Sequence, residues 1–318
     1  VEEVSEKNTS IVSVVKIISS YDFLNNESKI ITSENKQQIK DIVTLNKIYS
    51  NFFYFSEIYK ILNQYKPSLV HIHGMWRPIQ FLFILYCKFL NIPILIQPHG
   101  MLLKEAMRSK SLINYIMKLF TLHIYKYLLK NKGFIAVTNE EEISIKKYFL
   151  KPKVNIIRNP LSVLKENSDN IKKNFIYFGR INSHKNLEEF IKAFIKVGPN
   201  NSWSFHIYGI DDDINYKKKL IKLINDSNAG NYIKFFKPEF DKKRKFKIIS
   251  ESWCNVLTSK SEILSLSVLE AFGVGTPSLV NKKITFPHWI EKFLIKSSIE
   301  TSTLADNIRL IMNQDLNN

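Results

Sequence analysis

Short apolar runs alternate with helical patterns along most of the chain, and that rhythm admits few folds. In the first half the pattern predicts strands over 28–32, 68–71, 92–97, 134–137 and 154–157. Helices are expected over 11–20, 52–65, 79–90, 112–130 and 139–149. The second half repeats this with strands expected over 175–178, 204–208, 232–236, 255–258 and 277–280, and helices between them. A run such as Phe175-Ile176-Tyr177-Phe178 has no polar face, which suits a parallel strand buried on both sides. Strand–helix alternation of this kind winds into doubly wound sheets, and 318 residues are enough for two of them. The polar, lysine-rich stretch 161–173 reads as the linker, giving an acceptor-side domain over 1–163 and a donor-side domain over 164–318.

The chemistry concentrates in the second half. Between Ser261 and Pro277 two carboxylates, Glu262 and Glu270, stand eight positions apart, followed by Gly273-Val274-Gly275-Thr276-Pro277. A helix is expected to open near Ser265, so Glu262 lies in the loop before it and Glu270 in its second turn. The first N–H groups of such a helix, at Ser265, Leu266 and Ser267, suit a diphosphate, because they are unpaired and sit at the positive end of the helix dipole. Glu270, flanked by apolar Leu269 and Ala271, needs a partner, and ribose hydroxyls would supply one.

The strand over 175–178 is expected to end at Gly179-Arg180, with the glycine turning the chain so that Arg180 and Lys185 emerge at the sheet's carboxyl edge. Lysine is abundant, so Lys185 alone is a weak signal. Arginine occurs only six times, and its planar fork matches phosphate oxygens. Two cations there would offset the charge of a departing nucleotide diphosphate.

Gly179-Arg180 with Lys185, the Glu262/Glu270 spacing, Leu269-Glu270-Ala271 and Gly275-Thr276-Pro277 together resemble the donor half of the retaining glycosyltransferases of family 4, GT4. In the first half, Val70-His71-Ile72-His73-Gly74-Met75-Trp76 and Gln97-Pro98-His99-Gly100-Met101-Leu102 resemble segments of members that build bacterial surface polysaccharides. So do the stretches from Ala136 to Glu142 and from Ile156 to Pro160. The loop Ile263-Leu264-Ser265 departs from the family's glycine-rich pattern. The resemblance implies the GT-B fold, two Rossmann-like domains facing a cleft. It also implies an opening strand and glycine-rich loop ahead of Val1, itself expected in a helix, and a return helix beyond Ile308; the chain is thus expected to be trimmed at both ends.

On that resemblance the reaction is transfer of a sugar from a nucleotide-diphosphate donor, UDP- or GDP-linked, to a hydroxyl on a glycan or lipid-linked glycan, with retention. Gly179, Arg180, Lys185, Ser265, Leu266, Ser267 and Glu270 would bind the donor. Arg180 and Lys185 would stabilise the leaving group, Glu262 would orient the sugar ring without covalent attack, and His99 would contact the donor sugar. Neither a metal nor another cofactor is expected. His71 and His73 are expected to be structural and to point to opposite faces of their strand.

Other features weigh less. The net charge of +17 comes mostly from dispersed lysines, and favours anionic partners such as sugar nucleotides and lipid headgroups. Asp211-Asp212-Asp213 reads as a helix cap rather than a metal cluster, and Lys242-Lys243-Arg244-Lys245 as a solvated helix face rather than a nucleic-acid patch. Cys87 and Cys254 lack metal-ligand spacing, which suits a reducing compartment. The apolar stretch 79–96 is broken by Lys88, Asn91 and Pro93, so no span is expected. A cytoplasmic location follows, with peripheral contact at the inner membrane face. Two other classes stay open: a sugar-nucleotide epimerase or hydrolase on the same fold, and a non-enzymatic basic module that binds anionic surfaces.

Overall fold

The computed structural model describes residues 53–108, 112–159, 168, 170–198, 202–262 and 265–314, together with four short strands nearer the N-terminus. The helix expected over 11–20 lies outside the described residues. The chain divides into two compact units, Val1–Pro160 and Leu161–Asn318.

In the first unit, β1 (Glu3–Val4) pairs in parallel with β3 (Glu34–Asn35), and β2 (Ile30–Thr32) with β4 (Ile42–Thr44). A strand at Glu3–Val4 replaces the helix expected from Val1. Strands β5 (Val70–His73), β6 (Ile94–Gln97), β7 (Gly133–Ala136) and β8 (Lys153–Ile156) form a parallel sheet in chain order. Helices α1 (Phe53–Tyr65), α2 (Pro78–Phe89), α3 (Lys104–Met107), α4 (Leu112–Leu128) and α5 (Asn139–Tyr148) accompany it. The apolar stretch 79–96 therefore resolves into a helix and a strand, as its breaks at Lys88, Asn91 and Pro93 predict. Among the described residues no helix is long and apolar enough to cross a bilayer.

The second unit carries β9 (Lys172–Ile181), β10 (Ser204–Asp211), β11 (Ile233–Phe236), β12 (Ser252–Leu257), β13 (Ser278–Asn281) and β14 (Leu294–Ser297). They pair in parallel in the order β11-β10-β9-β12-β13-β14. Its helices are α6 (Leu187–Val197), α7 (Ile214–Asp226), α8 (Lys242–Ser250), α9 (Leu266–Gly273), α10 (His288–Glu291) and α11 (Thr301–Met312).

Both faces of β9 are covered, which explains its unbroken apolar sequence. Phe175 and Tyr177 pack with Phe190 and Phe194 of α6 and with Leu304 and Ile308 of α11, whereas Ile176 and Phe178 pack on Ile249 of α8 and Ala271 of α9. Alternate residues enter opposite layers, as the pleat dictates. Numbered within the unit, the strand order is 3-2-1-4-5-6, so the winding direction reverses between β9 and β12. Open parallel sheets bind ligands at the carboxyl ends of the strands flanking such a reversal, because the two crossover helices diverge there and leave a crevice.

Candidate functional site

The loops leaving β9 and β12 are tied together at that reversal. After β9, the side-chain oxygen of Asn182 accepts from the backbone N–H of His184 and Lys185, at 3.1 and 3.2 Å, and forms a tight turn. After β12, the Thr258 hydroxyl bonds to the carbonyls of Lys185 and Asn186, at 3.1 and 3.2 Å. Lys260 N–H donates to the His184 carbonyl at 3.0 Å, and His184 Nε2 donates to the Ser261 carbonyl at 2.8 Å. Asn186, left-handed with φ 53°, turns the chain into α6.

This lacing brings Lys185 and Glu262 together: the lysine ammonium donates to Glu262 Oε1 in a salt bridge, with both side chains mostly withdrawn from water. Arg180 projects further, half exposed, with a guanidinium nitrogen 3.8 Å from Asp212. At that separation in solvent the attraction is weak, so the fork stays free to meet another anion. Asp212 is itself held by Asn182 Nδ2 at 2.7 Å.

Gly179 does not turn the chain. Strand β9 continues through Gly179 and Arg180 to Ile181, each in register with β10, and Gly209 likewise lies inside its strand. Smallness, not flexibility, is what Gly179 provides. A Cβ at Gly179 would fall 2.6 Å from the hydroxyl of Tyr177, two residues back on the same face. That hydroxyl donates to the Arg180 carbonyl at 2.7 Å, and burial raises its pKa well above the usual phenol value.

Helix α9 opens at Leu266 with Ser265 as its N-cap residue. The Ser265 hydroxyl does not cap the helix but bonds to the Ser267 hydroxyl at 3.0 Å, which leaves the helix start without a cap from that side chain. Glu270 meets a partner that the sequence reading missed. Lys245 of α8 places its ammonium 2.6 Å from Glu270 Oε2 and 5.5 Å from the centre of the Phe178 ring. The run 242–245 is thus not wholly a solvated face: the first three side chains are exposed and Lys245 turns inward. The capping expectation for the aspartates is met by Asp213, which accepts from Tyr216 N–H at 3.0 Å, while Asp211 pairs with Lys217. Among the described residues no three His, Cys, Asp or Glu side chains form a set able to hold a metal ion.

The first unit gathers three histidines at the carboxyl ends of β5 and β6. His73 Nδ1 lies 2.8 Å from His99 Nε2, with their rings stacked. The ring centres of His71 and His73 are 4.1 Å apart. The two therefore do not point to opposite faces; residues two apart on a strand share a face, and the expectation misapplied the period. Burial pushes His71 and His99 down to about 4 and holds His73 lower still, with the neighbouring rings adding to the effect at His73 and His99. The cluster is neutral near pH 7.

Glu141 fixes the loop that carries His99. It is fully buried; one oxygen accepts from Gly100 N–H and the other from Val137 N–H at 2.7 Å. His99 and Gly100 both have positive φ, at 53° and 76°, so this turn is held in an uncommon backbone conformation. In sequence Glu141 stands only as part of the family-like stretch from Ala136 to Glu142.

These arrangements can be compared with known proteins. Residues 163–318 match the family described as glycosyl transferases group 1, and residues 31–163 match glycosyltransferase family 4. Among solved structures, a glycosyltransferase from Rickettsia africae is 16% identical with a TM-score of 0.73, over 98% of this chain and 86% of its own. Anabaena HepE in complex with UDP-glucose is 13% identical with a TM-score of 0.75, over 98% and 88%. Sucrose-phosphate synthase from Thermosynechococcus elongatus is 14% identical with a TM-score of 0.68, over 98% and 86%. A search of the curated proteins returned no match. With its halves matched by the two families and its whole length by enzymes of this architecture, the chain belongs to the family 4 glycosyltransferases and has the GT-B fold.

Proposed function

We propose that this glycosyltransferase moves a sugar from a nucleotide-diphosphate donor to a hydroxyl of a glycan or lipid-linked glycan, with retention of anomeric configuration and without a metal. The observation that carries the reading is the grouping of Arg180, Lys185, Glu262 and the start of α9 on the two strands flanking the reversal in winding. As the bond from the anomeric carbon to the diphosphate oxygen breaks, negative charge grows on that oxygen. Arg180, Lys185 and the N–H groups of Leu266 and Ser267 are the donors that meet it. The acceptor hydroxyl attacks from the same face and its proton passes to the departing diphosphate, so no enzyme nucleophile is needed. Glu262, held by Lys185, orients the sugar ring; Glu270 receives the ribose hydroxyls, and His99 contacts the donor sugar.

Anabaena HepE binds UDP-glucose, and the pneumococcal O-GlcNAc transferase GtfA is seen with UDP and GlcNAc. These put UDP-linked donors first in a calorimetric screen that also includes GDP-linked ones. Tight binding of one donor, weakened at least tenfold by Arg180→Ala and by Glu270→Ala, supports the reading. If no nucleotide sugar binds, or Arg180→Ala changes nothing, the site is misassigned. Salt-steep binding to nucleic acid that ignores Glu270→Ala would instead favour a basic module.

A further inference from the structure

Helix α4 presents water with a surface that a folded protein rarely leaves open. Leu112, Ile113, Ile116, Met117, Phe120 and Tyr127 are all more than half exposed. Leu112, Ile116, Phe120 and Tyr127 recur along one helical stripe, and the buried side chains Leu122 and Tyr125 lie on the other side. The helix is firmly seated on that other side: Tyr125, fully buried, donates its hydroxyl to the Met75 carbonyl at 2.8 Å, and Lys118 donates to the Ala106 carbonyl at 2.8 Å. The apolar stripe is therefore a fixed feature of the unit.

Charge around the stripe identifies what covers it. From Lys104 to Lys132 the sequence holds seven lysines and arginines against one acid, Glu105, and α4 itself contains no acidic residue. Lys104 and Arg108 before the helix and Lys130 after it are exposed. An apolar stripe flanked by cations is complementary to a bilayer whose headgroups are anionic. The side chains enter the boundary of the hydrocarbon while the ammonium and guanidinium groups stay at headgroup depth. With 17 residues and Lys118 and Lys126 among them, the helix is not long and apolar enough to cross a bilayer.

We propose that α4 is the surface by which this enzyme lies on an anionic membrane, with the helix axis in the plane of the interface. The net positive charge of the chain pointed to anionic partners without saying which surface meets them; α4 and its flanks supply it. The inference stands apart from the donor-site reading, since Glu270→Ala is expected to bind membranes as the wild type does.

The test is flotation of the full chain with vesicles of phosphatidylcholine alone and of phosphatidylcholine with phosphatidylglycerol. Binding to the anionic vesicles, weakened at least tenfold without phosphatidylglycerol, in high salt, and in Ile116→Asp/Phe120→Asp, is expected. Both side chains are in water, so the variant's melting temperature should match the wild type. Should that variant fail to fold, Arg108→Glu/Lys130→Glu should weaken anionic binding at least tenfold and leave the helix intact. Failure of the wild type to float, equal binding by folded variants, or equal binding to neutral vesicles would overturn the proposal. So would self-association that Ile116→Asp/Phe120→Asp abolishes in a protein that never floats, since the stripe would then belong to a second copy.

Discussion

Lys245 Nζ lies 2.6 Å from Glu270 Oε2, and the two side chains keep only 23% and 15% of their surface in water. That oxygen finds no donor in good hydrogen-bond geometry among the described groups, so the ion pair is its main compensation for lost hydration. Lys245→Met removes the cation and leaves the carboxylate in place, and should cost about 2 kcal/mol, with partial exposure keeping it below the full buried-pair penalty. Glu270→Gln in the same background should recover part of the loss. Thermal melts of the four proteins in a double-mutant cycle measure the coupling, and additive effects would show that the pair contributes nothing.

This pair also shows where sequence reading stops. Strands were legible because a parallel sheet covered on both faces demands unbroken apolar runs; the same pattern put Lys185 and Glu262 on the loops after β9 and β12, whereas Arg180 lies inside β9 rather than beyond it. Lys245 was not legible: its neighbours Lys242, Lys243 and Arg244 are solvated, and only the packing of α8 beside α9 turns the fourth cation inward. Glu141 hid for a similar reason. Thr138 caps the helix through the Glu141 N–H, while the Glu141 carboxylate reaches back to Gly100 across 41 residues of chain. Gly179 was noticed with the wrong mechanism, since its spacing from Tyr177 on one face of a strand mattered more than any turn.

Gly179→Ala would place a Cβ 2.6 Å from the Tyr177 hydroxyl and 3.0 Å from its ring carbon. Tyr177 is almost fully buried and its hydroxyl is bonded, so it cannot swing clear. Overpacking of this kind costs about 1–3 kcal/mol. Tyr177→Phe alone should cost about 1 kcal/mol through the lost bond to the Arg180 carbonyl. Combined with Gly179→Ala, it should cost less than the sum, because the clashing atom is gone. Equal or greater than additive losses in melting experiments would contradict the steric account.

Asn182 makes three bonds that shape the turn before Lys185. Asn182→Asp keeps the acceptor for His184 and Lys185 but replaces the donor to Asp212 with a second carboxylate. The like charges should push Asp212 toward Arg180, or away from the turn, and in either case compete with a diphosphate. Affinity for UDP should fall about tenfold, a change of about 1.4 kcal/mol, with little loss of stability. Calorimetric titration beside a thermal melt separates the two, and unchanged UDP affinity would detach this turn from the donor site.

Two kinds of buried group in the first unit should give its stability opposite responses to pH. His71 and His99 are pushed down to about 4 by burial, so on acidification the unfolded chain takes up protons first, beginning near pH 6.5. Stability is then lost as pH falls from about 6.5 toward 4, at up to about 1.4 kcal/mol per pH unit for each histidine. Glu141 runs the other way. Burial raises its pKa despite the bonds from Val137 and Gly100, so the folded state retains a proton that the unfolded chain has already released, and this contribution is lost as pH rises above about 4.5. His71→Gln should flatten the decline between pH 6.5 and 4. Glu141→Gln should cost about 1–3 kcal/mol, because its amide turns a donor toward one of two N–H groups. Its deficit relative to the wild type should be largest at low pH and narrow as pH rises. Melting temperatures of the three proteins from pH 4 to 7 decide the matter; parallel curves would mean that neither group titrates differently on folding.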